Sequence, residues 1–145
     1  MNKFLAWIAV LGLFGLNSGA AWGQSGNCAK DKFDQFIAEM AEGGQSRQLA
    51  QARFPLTEYY DQIGKGCNKS RKMDQGKAGR LGALIPSKAE QRANGYTVST
   101  TVQGNKGQVT LTKDGSWVFG KLEYTWQKDC WYLTGVKFEI DDTCR

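Results

Sequence analysis

The chain contains no histidine in its 145 residues. That absence removes the Ser-His-Asp and Cys-His nucleophile systems, imidazole acid–base work and any histidine-based zinc site. The cysteines do not approach a CxxC spacing, since the closest pair in sequence is Cys130 and Cys144. No P-loop occurs, and no GxGxxG opens a helix; the glycines are spread through loops. Only one long apolar run exists, Phe4 to Leu16, and its 13 residues are too few for a permanent membrane span. The sequence therefore offers no catalytic constellation, no metal-ligand set, no cofactor motif and no membrane-spanning segment. Two acidic features were weighed for chemistry. Asp61, after Tyr59-Tyr60, could act as a base in a pocket, but reads better as a strand-end aspartate; Asp141-Asp142 reads as a solvated tail.

The apolar run has a different use. Lys3 precedes it, and the small-residue stretch Asn17 to Gly23 follows it. This is the pattern of an export signal over residues 1–23, cut before Gln24, or after Ala20 or Ala21. A lipid anchor is not expected, because Ser25-Gly26-Asn27 before Cys28 lacks the small and apolar residues such signals use. Residues 24–145 then form a single domain with a modest core, in a periplasmic or secreted setting.

All four cysteines, Cys28, Cys67, Cys130 and Cys144, fall in that domain, and an even count in a small exported chain reads as two disulfides. Pairing Cys130 with Cys144 is disfavoured. A strand from Trp131 to Ile140 spans about 33 Å, the tail beyond it recovers under about 15 Å, and a disulfide needs Cα atoms within about 7 Å. Each late cysteine therefore takes Cys28 or Cys67.

Helical signals come first. Phe33, Phe36, Ile37 and Met40 make one apolar stripe along a helix from Asp31 to Glu42, ended by Gly43-Gly44. Ser46 caps a shorter helix through Leu49 and Ala50. Arg53 to Thr57 reads as an edge strand, because Pro55 cannot donate to a central ladder. Residues 64–82, rich in glycine and poor in apolar anchors, read as a long surface loop. Ser87 with Glu90 forms a capping box for a helix that stops at Asn94-Gly95.

From Tyr96 onward the period is two. Strands are expected over Tyr96–Gln103, Gln108–Thr112, Trp117–Gln127 and Cys130–Ile140, with turns at Gly104–Gly107, Lys113–Ser116 and Lys128-Asp129. A two-residue turn at Lys128-Asp129 sets Trp126 opposite Trp131, Tyr124 opposite Leu133 and Leu122 opposite Gly135. Further out the apolar face switches: Trp117 and Phe119 pair with Ile140 and Phe138 at the other parity. The switch falls beside Gly120 and Gly135, so a kink or bulge shared by the two strands is expected there.

The order of elements gives an α+β fold, N-terminal helices packed on a strongly curved antiparallel sheet of four to five strands. That order, with the closing pattern Trp131-x-Leu133-x-x-Val136-x-Phe138, resembles the cystatin-like, nuclear-transport-factor-2-like superfamily of cone-shaped domains. Arg47 to Leu56 is similar to a family of small exported bacterial domains of unassigned function. The resemblance spans about Asp31 to Ile140; it implies a fold and no catalytic residues, since one scaffold hosts many activities.

Charge offers the functional lead. Between Lys65 and Arg92 lie eight basic residues (Lys65, Lys69, Arg71, Lys72, Lys77, Arg80, Lys88 and Arg92) against two acidic ones. Arg71, Lys72, Lys77 and Arg80 are candidate binding residues for an acidic partner. Trp117 and Trp126 are candidates too, as members of an aromatic set on the last two strands that one helix cannot wholly cover. Nucleic acid is a poor fit, given export and no aromatic residues within the basic stretch. The expected function is thus a non-enzymatic exported binding domain, an inhibitor, immunity-like or adaptor protein engaging another envelope protein. The alternative is a small-ligand or weakly enzymatic cone with a pocket between helix and sheet.

Overall fold

The computed structural model describes residues 28–62, 67–115 and 117–139; within them Tyr60, Asp61, Gln62, Cys67, Asn68, Lys69, Trp117, Phe119 and Glu139 enter by their backbone alone. The expected export signal at 1–23 and the tail with Cys144 lie outside the described residues. A 3-10 turn at Lys30–Lys32 leads into α1 (Phe33–Ala50). Its apolar stripe is the expected one, with Phe33, Phe36, Ile37, Met40 and Ala41 all buried. Gly44, at φ 67°, breaks the helix where Gly43-Gly44 was expected to end it. A side chain disfavours that conformation, so glycine sets the kink. The helix resumes and runs through the expected second segment to Ala50.

The sheet differs from expectation. It has six strands in the order β2-β1-β6-β5-β4-β3: β1 (Ala52–Gln62), β2 (Cys67–Met73), β3 (Tyr96–Gln103), β4 (Lys106–Lys113), β5 (Trp117–Gln127) and β6 (Cys130–Glu139). It is also mixed, because β1 runs parallel to β6 while every other pair is antiparallel. Two readings need correction. The stretch read as a loop holds β2 and a short helix, α2 (Gln75–Gly79). Polar β2 carries no apolar residue between Cys67 and Met73, so it had no pattern to see. The strand with Pro55 is interior, lying between β2 and β6. Pro55 is tolerated there because it falls outside both ladders: pairing with β2 begins at Leu56, and the β6 register shifts between Ala52 and Thr57.

The turns and caps follow the sequence. Asp114 and Gly115 have φ of 52° and 78°, and Lys128 and Asp129 have 47° and 70°, the positive pair of a tight hairpin turn. Helix α3 (Lys88–Asn94) carries the full Ser87–Glu90 capping box and ends on Gly95 at φ 69°.

The expected parity switch resolves into two bulges. Thr134 is the extra residue of β6, since Tyr124 pairs with Leu133 but Glu123 with Gly135. Phe119 is the extra residue of β5 against β4, between Val118 opposite Thr112 and Gly120 opposite Leu111. Leu122 consequently faces Val136 rather than Gly135, one residue from the expected register. Gly135 is not in the left-handed region; it is needed for space, because a Cβ there would stand 3.3 Å from the Thr57 carbonyl oxygen and 2.9 Å from a Glu123 oxygen.

One sheet face packs on α1. Val109, Leu111, Leu122, Tyr124, Trp131, Leu133 and Val136 meet the α1 stripe, with the Phe33 ring 4.6 Å from that of Trp131. Gln48, wholly buried, joins α1 to the strap at 81–86. Its Nε2 donates to the Met40 and Ile85 carbonyls at 3.0 and 2.9 Å, and its Oε1 accepts from the Leu84 and Ile85 amides at 2.7 and 3.0 Å. Gln51, the C-cap of the same helix, does similar work toward β6, donating to the Trp131 carbonyl at 2.9 Å.

Candidate functional site

The basic residues singled out from sequence divide between the two sides of the sheet. On the helix-facing side, alternation along β1 turns Leu56 and Glu58 inward together, opposite Met73 and Arg71 of β2. The Glu58 side chain is only 5% exposed. Arg71 donates to it through Nε at 2.5 Å and Nη2 at 3.2 Å, and Lys77, from α2, through Nζ at 2.8 Å. A carboxylate so buried needs such partners, because removing it from water unpaired is costly. Glu58 was missed in the sequence. The only signal for it is its parity with Leu56 in a strand whose inner face is core.

Lys72, one residue from Arg71, points the other way and donates to Thr57 Oγ1 at 3.1 Å. Arg80 is exposed on the turn after α2. The structure therefore brings Arg71 and Lys77 together on Glu58 and does not bring the four cations into one patch. Trp126 is half-buried, edge-on to Trp131 at 5.4 Å, and belongs partly to the core. The side chains of Trp117 and Asp61 lie outside the described residues.

The face of the sheet turned away from α1 is polar. The ladders align Thr101, Gln108, Glu123, Gly135, Thr57 and Lys72 across it in one row, and Ser99, Thr110, Lys121, Lys137, Tyr59 and Ser70 in the next. Their side chains are exposed or half-exposed, apart from Gly135. Lys121 stands directly opposite Lys137. Arg53 lies 3.6 Å above the Tyr132 ring, a cation–π contact, and Tyr59 is 37% exposed. Among the described side chains this face carries Arg53, Lys72, Lys106, Lys121 and Lys137 against Glu123 alone.

Two open hollows flank these features. One, of about 340 Å³, lies on the outer face between Thr101, Gln103, Lys106, Gln108 and Glu123. The other, of about 310 Å³, opens between α1, α3 and β3, with Ile37, Ala41 and Val98 on its apolar side and Asp34, Lys88 and Gln91 on its polar side. No group of metal-binding residues occurs among the described residues. No described helix is long and apolar enough to cross a membrane.

Cys28 is bonded to Cys130, with Cα atoms 4.7 Å apart. This is one of the two pairings left open for Cys130, and it ties the entrance of α1 to the start of β6. The second expected bridge, through Cys67 and Cys144, falls on side chains outside the described residues.

No protein-family model matches the sequence, and no curated protein matches it. Solved structures do resemble it. An NTF2-like protein from Bacteroides fragilis superposes over 73% of this chain with a TM-score of 0.51 and 13% identity. This chain spans 46% of that protein's length. A cystatin-like protein from Bacteroides caccae superposes over 73% of this chain and 74% of its own, with a TM-score of 0.44 and 15% identity. The long kinked helix laid on a bulged, open six-stranded sheet thus shares its fold with the NTF2-like protein from Bacteroides fragilis, and the likeness reaches the fold alone.

Proposed function

We propose that the mature protein is an exported, non-enzymatic binding domain that engages an acidic envelope protein through the outer face of its sheet. The observation that carries this reading is the cation excess of that face: Arg53, Lys72, Lys106, Lys121 and Lys137 against Glu123 among its described side chains, with Asp61 and Glu139 at the same parity of β1 and β6. Two of the cations, Lys121 and Lys137, are directly opposed. Tyr59 and the stacked Arg53–Tyr132 pair add flat, low-entropy contact area of the kind that anchors interfaces. Directly beneath the α1 stripe the inner side is filled. Trp131, Tyr124, Phe36 and Met40 occupy the space beneath α1, and the Glu58 carboxylate is already engaged by two cations.

The test is a pull-down from envelope extract with wild-type bait and with a Lys72→Glu, Lys106→Glu, Lys121→Glu triple variant. Association with the recovered partner should slow as salt rises, and the variant should lose that partner while keeping its melting temperature. Equal recovery by both baits would refute the outer face. A parallel Arg80→Glu, Lys88→Glu bait then tests the loop side.

A further inference from the structure

The two edges of the sheet are built differently. β2 reads Cys-Asn-Lys-Ser-Arg-Lys-Met, three cations in seven residues, the usual guard of an exposed edge against stray pairing. β3 reads Tyr-Thr-Val-Ser-Thr-Thr-Val-Gln. It has no charge, no proline and no bulge, because all eight of its residues pair with β4 in unbroken register. Among the described residues no strand neighbours its outer ladder groups. Thr97, Ser99, Thr101 and Gln103 are exposed on one face, and Val102 on the other is 44% exposed.

We propose that β3 is the contact through which two copies of this chain associate, edge to edge and antiparallel, forming one continuous sheet of twelve strands. The strand is complementary to itself. With Thr100 on the two-fold axis, Val98 lies opposite the second copy's Val102, and Ser99 opposite its Thr101. Val98, Thr100 and Val102 share a face in both copies, so the pairing keeps each inner face inward. No charge meets its like across the seam. The hollow of about 310 Å³ opens beside Val98 and Thr100, with Ile37, Ala38 and Ala41 behind it. Ile37, Ala38 and Ala41 give the second copy's Val102 apolar contacts within a hollow that Asp34, Gln35 and Lys88 also line. The interface is one short strand pair, so its Kd should fall in the range of about 1–100 μM.

The experiment is sedimentation equilibrium of the mature, oxidised protein across that concentration range. The wild type should show a monomer–dimer equilibrium. Thr100→Lys and Thr100→Glu each set a charge against its own copy, and each should weaken dimerisation by tenfold or more. A one-to-one mixture of the two variants should restore it, a rescue that a folding defect cannot produce. Circular dichroism of each variant alone checks that both are folded. A wild type that stays monomeric at about 100 μM, or variants that dimerise like the wild type, would overturn the proposal. The test reads self-association alone, so its failure leaves the partner-binding reading of the outer face standing, and the converse holds.

Discussion

Replacing Gln48 by leucine should unfasten the strap at 81–86 from α1. Leucine keeps the volume but removes four hydrogen bonds at once, two donated and two accepted. A typical bond contributes about 0.5–1.5 kcal/mol net, and a buried group left unpaired costs about 1–3 kcal/mol. The four groups bonded to Gln48 include the amide and carbonyl of Ile85, whose side chain is fully buried, so the strap cannot simply turn them to water without withdrawing Ile85 from the core. Leucine returns part of the loss, about 1 kcal/mol, by burying more apolar surface. The net expectation is a loss of about 3 kcal/mol, a large share of the roughly 5–15 kcal/mol that stabilises a domain of this size. The melting temperature should fall by about 10 °C. Chemical denaturation followed by tryptophan fluorescence measures the energy, and amide exchange at Leu84 and Ile85 locates it. Both amides should be protected in the wild type and exchange much faster in the variant. A loss under about 0.5 kcal/mol, within the range of an ordinary surface substitution, would refute the reasoning, as would unchanged protection at those two amides.

Three further outcomes are expected. Cys28→Ala with Cys130→Ala should cost about 2–5 kcal/mol, because the bridge closes a loop of 102 residues; the native protein should show no alkylatable thiol, and its mass should rise by four hydrogens on reduction if Cys67 and Cys144 are bridged as well. Gly107→Ala should destabilise by about 1–3 kcal/mol, since a Cβ there would stand 2.6 Å from the Phe33 ring; an unchanged denaturation midpoint would count against the packing described. The Glu90 carboxyl is held below the usual carboxylate range by the Ser87 amide and hydroxyl. Its contribution to stability is therefore present above the ordinary glutamate value and lost as pH falls through the lowered one. Ser87→Ala should raise the Glu90 value in an NMR titration, and no change would argue against the capping box.

The sequence was legible wherever a local signal matched the final environment. The α1 stripe, the Ser87–Glu90 box, the glycine stop at Gly44 and the turn at Lys128-Asp129 all depend on residues close in the chain. A break in the last two strands was visible because Trp117 and Phe119 fall at the other parity from Leu122, Tyr124 and Trp126. β2 was not legible, since its polar residues pair with β1 at an edge and bury little until Met73. The interior place of β1 was also hidden: Pro55 argues for an edge, and only the register shift against β6 explains its tolerance. The site was the least legible part. Arg71 and Lys72 are neighbours in a run of cations, yet strand alternation sends one to Glu58 and the other to the opposite face.

The parallel pairing of β1 with β6 bears on the order in which the molecule can assemble. β6 is the last described strand, yet it lies between β1 and β5 and is fastened at its start to Cys28. Until it arrives, α1 has no Trp131 or Leu133 to pack against, and the β2-β1 hairpin has no connection to the β3-β4-β5 meander. A chain that crosses a membrane from its N-terminus must stay unfolded while in transit. For the export we propose, this topology would delay closure until the strand that joins both halves has been made. The cost would be slow, long-range folding on arrival. The gain would be a polypeptide that stays threadable for most of its length.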